Sequence, residues 1–224
     1  MVITHIIQHH TFLHTSYLNS HTLYNTAMDL SDIYTTVYTA LGYRGCEVAH
    51  PPLSPKEIVA QLNAQTYVTL TAKRPPTDQR GPITSLAVIF SNTATIPNSL
   101  PEMRQLINTL INTANPLEIL LITNQPIKTK NIIETPPGIT VHNYPQKIFI
   151  MDITTSVNSP KHRLVPEQTV LNWEKTYRAE RNSLPKILKH DPQAIYLGLQ
   201  PGMVCEIDAQ NEMTGLATTW RICQ

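Results

Sequence analysis

Asp191-Pro192-Gln193-Ala194-Ile195-Tyr196-Leu197-Gly198-Leu199-Gln200-Pro201-Gly202-Met203-Val204-Cys205 is the stretch on which the fold of this chain turns. The Asp191 carboxylate is placed to cap a helix, and Pro192 is pre-set for the first helical position. Gly198 then supplies a left-handed stop after barely two turns. Pro201-Gly202 fits the central pair of a type II turn, because proline fixes the first φ and glycine takes the positive second one. Past that turn, Met203, Cys205 and Ile207 alternate with Val204, Glu206 and Asp208, which is a strand pattern. The polar run Asn211-Glu212-Met213-Thr214-Gly215 leads into a second strand that alternates Leu216, Thr218, Trp220 and Ile222. From His162 to Gln224 the chain therefore predicts a small α+β module closing on a β-hairpin.

Outward from that core lie His162-x-Leu164-Val165-Pro166, Leu184-Pro185-x-Ile187 and the ending Trp220-Arg221-Ile222-Cys223. Strung in this order with Asp191-Pro192, Tyr196-x-Gly198-Leu199, Gly202 and Val204, they make the segment resemble the C-terminal assembly module of the fifth subunit of nuclear RNA polymerases, a family with an archaeal counterpart. Gln168 stands where the family usually has a histidine, and the segment between Leu171 and Trp173 lacks several residues of the family's first helix there. The resemblance implies a non-catalytic polymerase subunit. Its docking residues would be His162, Leu164, Val165, Pro166, Leu184, Pro185, Ile187, Asp191, Pro192, Tyr196, Gly198, Leu199, Gly202 and Arg221, set against the largest subunit with the small subunits nearby. Phosphodiester chemistry, magnesium and nucleotides would belong to the large subunits, so no cofactor, metal, catalytic residue or small-molecule ligand is expected here.

The module's size bears on the same question. A unit this small buries only about 60% of its chain surface and is marginal alone. Leu184, Ile187, Ile195, Leu197 and Leu199 offer more apolar surface than two short helices hide. Either the front half of the chain covers that surface, or a partner does so by strand addition or a hydrophobic patch.

Composition narrows the classes. At 224 residues, with 41% hydrophobic and 15% charged residues, the chain holds one good core or two modest ones. Its 18 prolines against 7 glycines argue for defined turns, not loose linkers. A net charge of +1 lacks the basic signature of a stand-alone nucleic-acid binder. Cys46, Cys205 and Cys223 are too scattered for a disulfide framework or zinc cluster, which fits a reducing compartment. No run has the length of a membrane span and no secretory signal is read, so no membrane partner is expected. The resemblance puts the chain inside the cell: in the nucleus if cellular, or in host cytoplasm and virion if from a large DNA virus.

The N-terminal half reads as an extension over residues 1–27, then a domain over 28–157; the closing module occupies 158–224. The extension carries His5, His9, His10, His14 and His21 without a carboxylate, which weighs against a metal site. Leu30, Ile33, Val37 and Leu41 predict a helix over 29–43, stopped by Gly42 and Arg44-Gly45. Ser54-Pro55-Lys56-Glu57 is a capping box. Strands follow at 67–73, 85–90, 117–122, 139–144 and 147–153, with a helix opened by Ser99-x-x-Glu102 between the second and third. This strand–helix–strand order belongs to a layered α/β domain with a parallel pair. The family's eukaryotic members carry a jaw domain here. The first helix, the strand order and Gln125-Pro126-x-x-x-Lys130 carry that part of the resemblance. The divergence of this half suggests a polymerase encoded by a large DNA virus.

Lys73, Arg74 and Arg80 in one loop, and Lys128 and Lys130 in another, are the candidate contacts to downstream double-stranded DNA. So few phosphate contacts give only weak, salt-sensitive, sequence-blind affinity. Asp152, at the end of an apolar run, is more simply a turn cap than a catalytic carboxylate. The rivals to a polymerase subunit are a free adaptor tethering regulators to a polymerase and a metal-dependent nuclease.

Overall fold

The computed structural model describes residues 30–76, 80–90, 100–124, 135–156, 159–211 and 215–224. Its architecture is mixed α+β, with two separate sheets. Helix α1 covers residues 30–43 and is followed by β1 (Glu47–Val48) and α2 (Pro55–Ala64). The α2 capping box forms as expected: Glu57 N–H donates to Ser54 Oγ and Ser54 N–H to Glu57 Oε2. Then come β2 (Tyr67–Arg74), β3 (Ile83–Phe90), α3 (Leu100–Ala114), β4 (Glu118–Thr123) and β5 (Thr140–Pro145).

The first sheet has the order β1-β2-β3-β4-β5, antiparallel through β3 and parallel from β3 to β5. The crossover β3–α3–β4 supplies the parallel pair that the alternation of elements predicts. All six residues of β4 are buried, as a strand covered on both faces requires. On one face Val68, Leu70, Ala87, Ile89, Leu120 and Ile122 pack under α1, whose Leu30, Ile33, Val37 and Leu41 are buried at helical spacing. On the other, Leu86, Val88, Phe90, Ile119 and Leu121 meet Ile107 and Ile111 of α3. Each such side chain, fully buried, contributes about 1.5–3 kcal/mol before entropy is set against it.

One expected strand is absent. Residues 147–153 run instead through two 3-10 turns, Gln146–Ile148 and Ile153–Thr155. Gln146 anchors the first by donating to the Phe90 carbonyl, and Asp152 caps the second by accepting from Thr154 N–H at 2.9 Å. Phe149 is buried while Ile150 and Met151 are exposed, so this apolar run pins the chain with one ring and does not line a sheet. The capping role of Asp152 is the one the sequence suggests.

The second sheet comprises β6 (Lys161–Leu164), β7 (Lys186–Ile187), β8 (Val204–Asn211) and β9 (Gly215–Cys223) in the order β6-β8-β9-β7. The hairpin β8–β9 is the expected one; the short strands β6 and β7 are additions to it. Helix α4 (Glu167–Tyr177) covers one face through Val170, against Val165, Val204 and Ile222. Helix α5 (Pro192–Leu197) covers the other through Ala194 and Leu197, against Ile187, Cys205, Ile207 and Cys223. The histidine-rich start, the Ser99–Glu102 capping box, the Gln125–Lys130 loop and the tip of the β8–β9 turn lie outside the described residues.

Candidate functional site

The turn chemistry of residues 191–202 is built as expected. Asp191 caps α5 through a 2.9 Å bond from Gln193 N–H, with Pro192 at the first helical position. Gly198 closes the helix at φ +65, its N–H directed to the Ala194 and Ile195 carbonyls. Gly202 sits at φ +90, and Met203 N–H closes the type II turn on Gln200 O at 3.0 Å. Gly202 N–H donates to Cys223 O at 3.0 Å and Ile222 N–H to Pro185 O at 2.9 Å. These bonds gather Pro185, Gly202 and the 221–223 end of β9 at one end of the sheet. Pro185, Gly202 and Arg221 are exposed there, and Leu188, just beyond β7, is 66% exposed.

The other named residues divide between interior and surface. Val165, Ile187, Tyr196 and Leu199 are buried; Leu164 and Leu184 are half-buried against the two cores of this sheet. Half-buried His162 has its Nδ1 2.8 Å from Pro160 O, and exposed Pro166 begins α4. The surplus of apolar surface expected from Leu184, Ile187, Ile195, Leu197 and Leu199 is therefore not on display. The last four are all buried, and the chain itself closes over them. Ile195 and Tyr196 do so by joining the core beneath α1 and the first sheet. Tyr196 stacks on Phe149 with ring centroids 5.8 Å apart, and its hydroxyl donates to Met151 O at 3.2 Å.

A charged joint between the halves escapes the sequence reading. Arg44, 4% exposed at the end of α1, donates from Nη1 to Glu118 Oε1 at 2.9 Å and from Nη2 to Ile195 O at 2.7 Å. Glu118 opens β4 and also accepts from Ser85 Oγ at 2.9 Å. His142 on β5 approaches the same carboxylate at 3.5 Å, and burial holds its pKa below the ordinary 6.5 against the opposing pull of Glu118. The Arg44 guanidinium also lies 5.9 Å from the centre of the Tyr144 ring. A Cβ on Gly198 would meet the Arg44 side chain at 3.1 Å, so this glycine ends a helix and also makes room for the joint. The only hint in sequence is a glutamate opening an otherwise apolar strand.

A second cluster sits on the surface. Arg181 reaches both Glu167 (2.7 Å) and Glu174 (3.0 Å), folding the α4–β7 connection back on its helix. Arg181 hydrogen bonding holds the Glu174 carboxyl below its usual range. Arg163 of β6 bridges Glu206 (2.8 Å) and Asp208 (2.7 Å) of β8.

Of the candidate DNA contacts, Lys73 is exposed at the end of β2 and Arg80 is half-buried. Arg74 donates from Nε to Gly81 O at 2.9 Å. Lys128 and Lys130 lie outside the described residues. The thiols of Cys46, Cys205 and Cys223 are free and buried, and burial pushes Cys205 up to about 11. Among the described residues no three His, Cys, Asp or Glu side chains are grouped to hold a metal, and no helix is long and apolar enough to cross a membrane.

Residues 151–223 match the family described as RNA polymerase Rpb5, C-terminal domain. The chain is 32% identical over 85 residues to the DNA-directed RNA polymerases I, II, and III subunit rpabc1 of Dictyostelium discoideum; that match spans 38% of this chain and 43% of the relative. Proteins named DNA-directed RNA polymerase RPB5 homolog from two African swine fever virus isolates are each 22% identical over 193 residues, 83% of this chain and 92% of theirs. Residues 151–223 thus resemble an Rpb5 C-terminal domain, and the likeness to the polymerase fifth subunit extends to a viral form of it.

Proposed function

We infer that this chain is a non-catalytic structural subunit of a DNA-directed RNA polymerase and serves DNA-templated transcription. Its module over 158–224 anchors it to the largest subunit, and its jaw half over 28–157 lies beside downstream DNA. One observation carries the reading. The span 151–223 that matches the Rpb5 C-terminal domain contains the cap, stop and turn that build α5 and its junction with the hairpin. Each is a conformational requirement of the local structure it builds.

The partner surface that the geometry favours is the end of the second sheet where Pro185, Leu188, Gly202 and Arg221 are exposed together. It replaces the buried leucines and isoleucines as the place of docking. Lys73, with Lys128 and Lys130, supplies the weak phosphate contacts of the jaw half, which count only once assembly holds them near the duplex. The viral likeness favours a polymerase active in host cytoplasm and packaged in the virion.

The test is affinity purification of the full chain from cells of its source, followed by high-salt washing and mass spectrometry. Stoichiometric recovery of the largest polymerase subunit is expected. Substoichiometric, salt-labile recovery would turn the reading toward a free adaptor. In the recovered enzyme, reversing Lys128 and Lys130 to Glu should weaken crosslinking to downstream duplex; unchanged crosslinking would assign both charges to solvent.

A further inference from the structure

Strand β9 has an edge that the second sheet does not use. Ile222 N–H donates to Pro185 O and Gln224 N–H to Ile187 O, each at 2.9 Å, whereas Cys223 N–H donates to Met203 O at 2.8 Å on the opposite side. Successive peptide units of a strand address opposite edges. Trp220, Thr218 and Leu216 therefore aim their N–H and C=O groups the same way as Ile222, away from β8. β7 meets this edge only at Ile222 and Cys223. Pro185, which has no N–H to offer a ladder, marks where the chain leaves it. Among the described residues no strand continues along 215–221.

Natural edges are blunted by lysine, proline or a bulge. Gly215-Leu216-Ala217-Thr218-Thr219-Trp220-Arg221 holds neither residue, and the register with β8 runs without a bulge from Val204↔Ile222 to Asn211↔Gly215. Beside the edge stands an aromatic shelf. Trp220 lies 6.0 Å from Trp173 of α4, which lies 5.9 Å from Tyr177, itself 68% exposed. On the same face Arg163 bridges Glu206 and Asp208, and Lys161 stands opposite Asp208.

We propose that this edge takes an extended segment of the polymerase chain on which the module docks, adding a fifth strand beside β9. The proposal rests on the subunit reading above. Unpaired donors and acceptors at strand spacing select an extended backbone; a helix, whose own groups are already paired, does not satisfy them. The shelf selects an apolar or aromatic side chain opposite Trp220.

Hydrogen exchange with single-residue resolution tests this, comparing the free chain with the assembled polymerase. The amides of Leu216, Thr218 and Trp220 should gain about tenfold protection or more on assembly, on the scale of one hydrogen bond made. Those of Ala217 and Thr219, which face β8, are the internal reference. Thr218→Pro removes an outward N–H and leaves the β8 ladder whole, so retention in the polymerase should fall roughly tenfold, while Thr218→Ala is retained. Stoichiometric recovery of the wild-type chain without new protection at 216, 218 and 220 overturns the added strand and leaves the subunit reading standing. Failure to recover polymerase with the wild-type chain overturns the subunit reading and the added strand with it. Protection that grows with concentration of the free chain would identify a second copy as the occupant and overturn the choice made here.

Discussion

The two sheets are closed by different means. The first is sandwiched between α1 and α3 by aliphatic side chains on both faces, most of which exchange for one another at modest cost. The second is smaller, and its shape depends on single residues in special conformations: Asp191 as cap, Gly198 at φ +65 and Gly202 at φ +90. Replacing an isoleucine by a leucine in a core can be absorbed by repacking. Replacing a glycine at positive φ cannot, because the strain is in the backbone. A fold that depends on such positions leaves a recognisable trace in sequence, and a fold that depends on bulk burial does not. This accounts for a family likeness concentrated in residues 151–223.

The sharpest attempt to break this contrast is Arg44→Met. It leaves Glu118 buried beside His142 without its cation and leaves the Ile195 carbonyl without its donor. Breaking a buried pair from one side costs about 3–5 kcal/mol, and replacing both partners by apolar residues recovers much of it. Urea unfolding should show the loss in Arg44→Met and partial recovery in Arg44→Met/Glu118→Leu. Equal stability of wild type and single variant would mean the halves are not joined here. Next is Gly202→Val. There is room for the side chain but not for its φ, so about 1–3 kcal/mol should be lost. Amide exchange should accelerate around β8 and β9 and leave the first sheet unchanged; acceleration in both sheets would make them one cooperative unit. The smallest effect is on pH. The His142 pKa is depressed in the fold, so its contribution to stability is full above the unfolded value near 6.5. It is lost as pH falls from there through the folded value, where the unfolded chain binds the proton more readily. Denaturation midpoints measured between pH 8 and pH 5, against His142→Gln as the control, should show a fall that the variant lacks.

Much of the fold is legible in the sequence. The capping box at Ser54, the buried alternation of β2, the parallel crossover and the whole Asp191–Gly202 passage depend on local chemistry, which sequence records. What escapes is non-local or too short. β6 and β7 span four and two residues, below the length at which alternation is visible. Residues 147–153 look like a strand because apolar residues crowd there, yet their burial answers to one ring and two turns. Between the two covers open for the module's apolar surface, sequence cannot choose, because the helices and strands that bury Ile195 and Tyr196 lie far earlier in the chain. Arg44 and Ile195 meet across 151 positions, and no spacing rule reaches that far.

That last contact has a bearing on how the protein tolerates change. The guanidinium grips a peptide oxygen, so it is indifferent to which amino acid occupies position 195 and sensitive only to where that oxygen stands. The side chain at 195 is held to an apolar type by the core beneath α1, not by this bond, while an insertion or deletion between Asp191 and Gly198 displaces the oxygen itself. The seam thus fixes length through its peptide oxygen and composition through its packing, two separate demands on one short helix.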